Sequence, residues 1–153
     1  MASLDIKISK SLFLIKLKAM TNRSTNLKAI RPVITSALIY DSMSSEERFQ
    51  NQTLRPIIKM QENLFIAVFR NYIVKHKSVF YDFTLERQLD YIESAIHKDM
   101  KFRNSVKGMI IGQFTIEEYA LYIMNSSALN KRMMNIVKGG LINHIQILEK
   151  KVA

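Results

Sequence analysis

The segment from Pro56 to Lys77 reads PIIKMQENLFIAVFRNYIVKHK, and it predicts the architecture of this chain more strongly than any other part. Proline suits the first turn of a helix, because its φ is already helical and its missing N–H would have no partner there. Apolar residues follow at helical spacing on two adjacent faces: Ile57, Met60, Leu64, Val68 and Tyr72, then Ile58, Phe65, Phe69 and Ile73. A helix that is apolar over most of its circumference is normally buried against several neighbours. We therefore predict a central buried helix over about residues 56–77.

The composition of the whole chain favours helices. Of its 153 residues 48% are hydrophobic, with only two prolines and four glycines, so the chain is neither disordered nor rich in turns. This length is sufficient to bury one core. We predict an all-α fold, a single-domain bundle of five to seven helices over residues 1–153, in which residues 1–9 form a basic extended arm. The chain has no cysteine, which excludes disulfides and thiolate chemistry and fits a reducing compartment.

Local signals place the other helices. We predict that the first helix ends near Met20, that the polar residues 21–26 form a loop, and that a second helix runs from Pro32 to about Met43. Two patterns of the Ser/Thr-x-x-Glu type predict capping boxes, in which side chain and backbone groups at a helix start bond reciprocally. These patterns are Ser44 to Glu47 and Thr115 to Glu118, the latter opening a helix over 116–124.

The last predicted helix covers about residues 127–150 and contains the pair Gly139-Gly140. Glycine inside a helix costs about 1 kcal/mol relative to alanine. We interpret the pair either as a place where another backbone approaches closely or as a kink or break in the helix.

The charge of the chain is strongly positive and unevenly distributed. The formal net charge is +10; residues 1–40 carry seven basic and one acidic side chain, residues 41–100 eight and nine, and residues 101–153 eight and three. Basic ends favour phosphates, anionic lipid or acidic protein as partners. No apolar run approaches the roughly 18 residues of a membrane span, and lysines interrupt any signal-peptide core. We expect an intracellular, soluble protein, cytoplasmic or within a virion, without integral membrane insertion.

The search for catalytic or metal-binding patterns is negative. His76, His97 and His144 fall in different predicted helices, and none has the spacing of a zinc-binding pair. Neither a glycine-rich phosphate loop with lysine and serine nor a Gly-x-Ser-x-Gly elbow is present. We therefore predict a protein that is not an enzyme, with no catalytic residues, no cofactor and no metal site.

Two predicted helices carry apolar stripes that we interpret as contacts to other protein subunits, in a homo- or hetero-oligomer. A narrow apolar stripe bordered by charged residues is typical of a helix that packs on one partner surface. The candidate interface residues are Leu85, Leu89, Ile92 and Ile96 on one helix, and Leu141 and Ile145 on the last helix.

Residues 114–127, FTIEEYALYIMNSS, resemble the first helix and turn of a helix-turn-helix DNA-binding module, which opens with threonine, two acids, an apolar residue and alanine. The resemblance implies that residues up to 138 form the second helix, with Lys131 and Arg132 available to phosphates or guanine edges. The full set of nucleic-acid candidates is Lys131, Arg132, Lys138, Lys101, Arg103 and Lys107.

Three functional hypotheses follow. The first is a non-enzymatic helical adaptor or structural subunit of a larger assembly, of the viral or nucleoprotein kind, whose basic termini face acidic protein or phosphate. The alternative is a direct nucleic-acid-binding protein that uses residues 114–138. In the third, the lysine-flanked apolar residues Leu12 to Leu17 form an amphipathic helix on an anionic membrane.

Overall fold

The computed structural model describes residues 2–149, and for residues 2–8 and 17–21 it describes the backbone alone. All regular structure in residues 2–149 is helical, which confirms the all-α class. Residues 2–149 contain eight α-helices, slightly more than the five to seven predicted. They are α1 (Ala2–Ala29), α2 (Ser45–Phe49), α3 (Arg55–Met60), α4 (Glu62–Lys75), α5 (Leu85–His97), α6 (Met100–Ile111), α7 (Ile116–Met124) and α8 (Ser126–Asn143). A π-helix (Gln50–Leu54) joins α2 to α3, and short 3₁₀ helices cover Val79–Asp82 and Ile145–Leu148.

The first 29 residues differ from the prediction. Residues 2–9 are helical, so the extended arm is wrong for this part of the chain, and the loop over 21–26 is also part of α1. The polar residues at 21–26 include neither glycine nor proline, and the surrounding helix overrides their weaker helix propensity. The first strong breaker is Pro32, which disfavours helical backbone at the preceding residue. α1 therefore ends at Ala29, just before it.

The helix predicted from Pro32 to about Met43 is absent, and residues 30–43 form an irregular connection. This segment contains Val33, Ile34, Thr35 and Ile39, which are β-branched and lose side-chain freedom in a helix. Helical structure resumes at α2, where the predicted capping box is present between Ser44 and Glu47.

The helix predicted over 56–77 is divided in two at Gln61, whose φ of −97° and ψ of 7° separate α3 from α4. The Gln61 side chain donates a hydrogen bond to the Met109 carbonyl oxygen at 3.1 Å, which ties the junction to α6. α4 ends at Lys75 because Lys77 and Ser78 have positive φ values of 63° and 57°, which a right-handed helix does not accept.

One side of this segment is buried and the other faces solvent. Its buried residues are Ile57, Ile58, Phe65, Ile66, Phe69 and Ile73. Leu64 and Val74, on the opposite side, are exposed. The element that the others surround is instead α8, which packs against α3, α4, α5, α6, α7 and the π-helix. Its buried face consists of Leu129, Met133, Met134, Val137 and Leu141.

The glycine pair lies inside α8 without interrupting it. The helix continues to Asn143, and a Cβ atom added to either Gly139 or Gly140 would meet no atom within 4 Å. The interpretation as a close approach of another backbone is therefore wrong, and neither residue breaks the helix. α8 also ends before the predicted limit of residue 150, which lies outside the described residues.

Several aromatic residues form a cluster around Phe69. Its ring contacts those of Tyr72, Phe80, Tyr91 and Phe102, with centroid distances of 5.8, 5.9, 6.2 and 6.0 Å. The hydroxyl of Tyr72 donates a hydrogen bond to Asp99 Oδ2 at 3.0 Å. Burial and this hydrogen bond raise the pKa of Tyr72, so the hydroxyl stays protonated. The Tyr91 hydroxyl is buried and has no hydrogen-bond partner among the described residues.

We expect Tyr91→Phe to increase the free energy of unfolding by about 1 kcal/mol, because it removes a buried hydroxyl that lacks a partner. The matched change Tyr72→Phe should lower it by about 1–2 kcal/mol, because the charged Asp99 carboxylate then loses the hydrogen bond donated by the Tyr72 hydroxyl. Urea unfolding followed by circular dichroism measures both. A loss of stability in Tyr91→Phe would mean that this hydroxyl is in fact hydrogen-bonded, for example to an ordered water.

Candidate functional site

Three of the six predicted interface residues belong to the core of the chain itself. Ile92, Ile96 and Leu141 are buried because α5 packs against α6 and α8, so assigning these three to a contact with another subunit is wrong. Leu89 is half-buried, and Ile145 packs partly against the same core. Leu85 alone of the six is exposed, at 61% of its surface.

The six predicted nucleic-acid candidates are not brought together. Lys131 and Arg132 line a groove beside α8, described below. Lys138 lies on another side of α8, where its Nζ is 2.7 Å from Glu93 Oε2 of α5. The remaining three are on α6 and do not line this groove: Lys101, Arg103 and Lys107.

The helix pair that resembles a helix-turn-helix is present, and its predicted capping box is formed. Thr115 N–H donates to Glu118 Oε2 at 2.8 Å, and Glu118 N–H donates to Thr115 Oγ1 at 3.1 Å. Asn130 of α8 accepts a hydrogen bond from the hydroxyl of Tyr122 in α7 at 2.8 Å. In a DNA-reading module the second helix enters the major groove. Here that helix is α8, which packs against α3, α4, α5, α6, α7 and the π-helix, and the assignment of the pair to a DNA-reading module stays a prediction.

The groove beside α8 has a volume of about 780 Å³ and is bounded on its other side by the π-helix and α3. We call it the basic groove. Its described charged residues are Arg55, Lys59, Lys131 and Arg132 with one carboxylate, Glu62. Gln50, Asn135, Gly139, Gly140 and Asn143 are among its other lining residues.

The hydrogen bonds at the basic groove leave most of its positive charge uncompensated. Arg132 Nη1 donates to Gln50 Oε1 at 2.9 Å, and Arg55 Nε donates to an Asn side-chain oxygen one turn earlier at 3.1 Å. Both acceptors are neutral amides, so these bonds position the guanidinium groups without neutralising them. Lys59 is paired with Glu62 at 2.7 Å. Lys131 is exposed, with no hydrogen bond or ion pair to any described residue.

A second region holds the end of α1 against the turn between α6 and α7. Arg23 donates to the carbonyl oxygens of Phe114 and Gly112 at 2.8 and 2.9 Å, and Arg31 donates to that of Gln113 at 2.8 Å. Three consecutive carbonyl groups of this turn therefore bind arginines from the first 31 residues. A cavity of about 690 Å³ lies next to it, between the start of α2 and the α7–α8 pair.

The strongest electrostatic contact in this region is the buried ion pair of Arg31 with Glu118. Arg31 Nη1 lies 2.6 Å from Glu118 Oε1, and Nη2 lies 2.8 Å from Oε2, in a bidentate arrangement. Burial opposes ionisation of Glu118, but hydrogen bonds from Arg31 and from the Thr115 N–H outweigh it and hold its pKa below the ordinary value of 4.5. Sequence reasoning identified Glu118 as a capping residue and missed its partner, because the two lie 87 positions apart.

Large apolar side chains are exposed on α1. Leu12, Phe13, Leu14 and Ile15 have 61–65% of their surfaces exposed. Successive residues of a helix point about 100° apart, so four in a row cover its whole circumference. We call these four residues the apolar segment of α1. In the part of the chain that is described, nothing packs closely around it.

A smaller apolar surface lies on the outside of α7. Ile116, Tyr119, Ala120 and Ile123 are exposed at positions i, i+3, i+4 and i+7, which share one face of a helix. The opposite face of α7 is anchored by buried Glu118 and Tyr122. The spacing of Ile116, Tyr119, Ala120 and Ile123 in the sequence is the signal that predicts this face.

The described residues contain no group of three or more histidine, aspartate or glutamate side chains that could hold a metal ion. Within residues 2–149, none of the helices combines the length and the apolarity needed to span a bilayer. Comparisons with family models, with curated proteins and with solved structures found no match to this chain.

Proposed function

We propose that this chain is a non-enzymatic adaptor or structural subunit of a larger assembly, and that it binds neighbouring protein chains through the apolar segment of α1. The observation that carries the proposal is the exposure of Leu12, Phe13, Leu14 and Ile15 on all sides of one helix. Burying one such side chain contributes about 1.5–3 kcal/mol. A helix that is apolar all round is normally enclosed by other elements.

The shape of this segment favours a protein partner over a membrane. A helix that lies on a bilayer needs one apolar face and one polar face, because lipid covers only one side of it. The four exposed residues point in all directions, so a membrane surface would leave some of them in water. A groove or bundle of helices in a neighbouring subunit can enclose them all.

The charges near the segment indicate the chemistry of the partner. Lys10 and Lys16 flank the four apolar residues, and residues 1–40 carry seven basic and one acidic side chain. Carboxylates at the rim of the partner's binding surface would complement these lysines. The lack of cysteine fits a reducing compartment, so we place the assembly inside the cell or in a virion, and a viral or nucleoprotein complex is the kind we propose.

The test compares charged substitutions in the apolar segment of α1 with one at an equally exposed leucine of α5. The full-length protein is recovered from its native cells, and the mass of its complexes is measured by size-exclusion chromatography with light scattering. We expect Leu12→Lys combined with Ile15→Lys to release the single chain, because both changes place charge in the enclosed surface. Leu85→Lys is the matched control, since Leu85 and Leu12 are both 61% exposed.

Circular dichroism of each variant checks that the chain remains helical. Complexes that survive the α1 changes but dissociate with Leu85→Lys would place the interface on α5 and contradict the proposal. A wild-type protein that has the mass of one chain at both low and high salt would contradict it as well.

A further inference from the structure

We propose that the basic groove binds the phosphodiester backbone of a single nucleic-acid strand. This site is separate from the apolar segment of α1, so the inference stands or falls independently of the proposed assembly. The groove lies between α8 and the α3 side of the chain, and four cationic side chains border it: Arg55, Lys59, Lys131 and Arg132.

The arrangement of these cations suits phosphate groups. Arg132 is held by Gln50 and Arg55 by a neighbouring asparagine, so both guanidinium groups are positioned before a ligand arrives. Lys131 has no partner among the described residues and is free to reach a phosphate. Glu62, the one carboxylate among the described lining residues, is already paired with Lys59 at 2.7 Å. An anion entering the groove therefore meets three cations, Arg55, Lys131 and Arg132, that are not paired with any acidic residue described at the groove.

The glycines of α8 supply an independent reason for an open groove. Gly139 and Gly140 lie inside a helix, where alanine would be more stable, and both line the groove. A Cβ atom at either position would meet nothing within 4 Å, so the packing of the chain does not require glycine there. The absence of side chains at these two positions leaves open volume along the groove, which a ligand can occupy.

The dimensions and lining of the groove define the kind of ligand. A groove of about 780 Å³ has room for a stretch of one phosphate chain. No aromatic ring is among the described residues that line it, so bases have no stacking platform and binding should be independent of sequence. Inorganic polyphosphate presents the same chain of phosphates and is the other source of this chemistry.

The first test measures binding of a fluorescent single-stranded 20-mer of thymidylate to the full chain by anisotropy at several salt concentrations. The variant Lys131→Gln/Arg132→Gln should bind at least about tenfold more weakly than wild type. Its salt slope should fall by about 1.4, since each lost phosphate contact removes about 0.7 for a single strand. The control Lys101→Gln/Lys107→Gln removes the same charge from α6, outside the groove, and should change affinity less than about threefold.

The second test fills the floor of the groove. Gly139→Leu should weaken strand binding at least about fivefold while the melting temperature stays the same or rises. Gly108→Leu is the matched control, because Gly108 also lies within a helix with no atom within 4 Å of an added Cβ and does not line the groove. It should leave strand affinity unchanged.

Competition separates the two sources of phosphate. Displacement of the bound oligonucleotide by unlabelled strand, in preference to polyphosphate of similar length, supports the nucleic-acid assignment. A groove that binds polyphosphate but not the oligonucleotide overturns it. Equal losses in the groove and α6 variants, or binding that does not respond to salt, would overturn the site itself.

Discussion

Replacing Arg31 by methionine should lower the free energy of unfolding by about 3–5 kcal/mol, the largest electrostatic effect that we expect in this chain. Both side chains of the Arg31–Glu118 pair are more than nine-tenths buried. Removing the guanidinium leaves a buried carboxylate without its opposite charge, which is far more costly than the loss of a surface ion pair. The change also removes the bond to the Gln113 carbonyl oxygen.

The matched control is Arg23→Met. Arg23 donates to two carbonyl oxygens of the same turn and has no carboxylate partner among its hydrogen bonds, so its loss should cost only about 1–2 kcal/mol. Urea unfolding of wild type and both variants at neutral pH provides the comparison. Equal losses in the two variants would show that the Arg31–Glu118 ion pair adds nothing beyond the carbonyl contacts.

The effect of Arg31→Met should depend on pH. In the folded protein the pKa of Glu118 lies below its ordinary value of 4.5, so its ionised form stabilises the fold above that pH. This contribution is lost as the pH falls below 4.5 through the folded-state pKa. In Arg31→Met, Glu118 is buried without the guanidinium, which favours its protonated form. Protonation at low pH therefore removes the destabilisation that the unpaired carboxylate causes in the variant. The difference in unfolding free energy between wild type and variant should therefore narrow as the pH falls, beginning above pH 4.5, where Glu118 of the variant takes up its proton, and ending at the lowered folded-state pKa of Glu118 in the wild type. A constant difference down to acid unfolding would contradict the role of Glu118.

Replacing Phe69 by alanine should lower the free energy of unfolding by about 3–5 kcal/mol. Phe69 is fully buried, and its ring contacts four other aromatic rings from α4, α5, α6 and the 3₁₀ helix Val79–Asp82. Truncation leaves a cavity where these elements meet, and the surrounding rings are too rigid to fill it. The lost edge-to-face contacts with Phe80 and Tyr91 add to the free energy lost when the buried apolar surface of the Phe69 ring is removed.

Leu64→Ala is the control on the same helix. Leu64 faces solvent, so its truncation should change stability by no more than about 0.5 kcal/mol. Thermal and urea unfolding of the two variants distinguish a core position from an exposed one. A loss in Leu64→Ala similar to that in Phe69→Ala would mean that the exposed side of α4 is covered by another chain under the conditions of measurement.

Local signals in the sequence predicted the elements that short-range chemistry controls. The capping boxes at Ser44 and Thr115 are both formed, and α7 begins and ends at the predicted residues. A capping box needs only two side chains three residues apart, so it can be read without knowledge of the fold. The apolar spacing after Pro56 likewise predicted a helical segment with a buried face.

Signals that depend on context failed. Residues 21–26 are polar enough for a loop, yet they lie in a long helix because nothing among them breaks it. The apolar stripe from Leu85 to Ile96 could face another subunit or the chain's own core, and periodicity is the same in both cases. Contacts with α6 and α8 place Ile92 and Ile96 in the core. The prediction that residues 1–153 form one domain stays a prediction.

The sequence by itself determined the helical class, the positive charge, the two capping-box helix starts at Ser44 and Thr115 and the lack of cysteine chemistry, because each depends on residue type or on neighbours within one turn. Only the tertiary structure decided which apolar faces are buried, that α8 is the central helix, and that Arg31 meets Glu118. It also placed Lys131 and Arg132 in one groove with Arg55 and left Lys138 outside it. These features join residues that are distant along the chain, and their free energies depend on burial, which the packing of the whole chain creates.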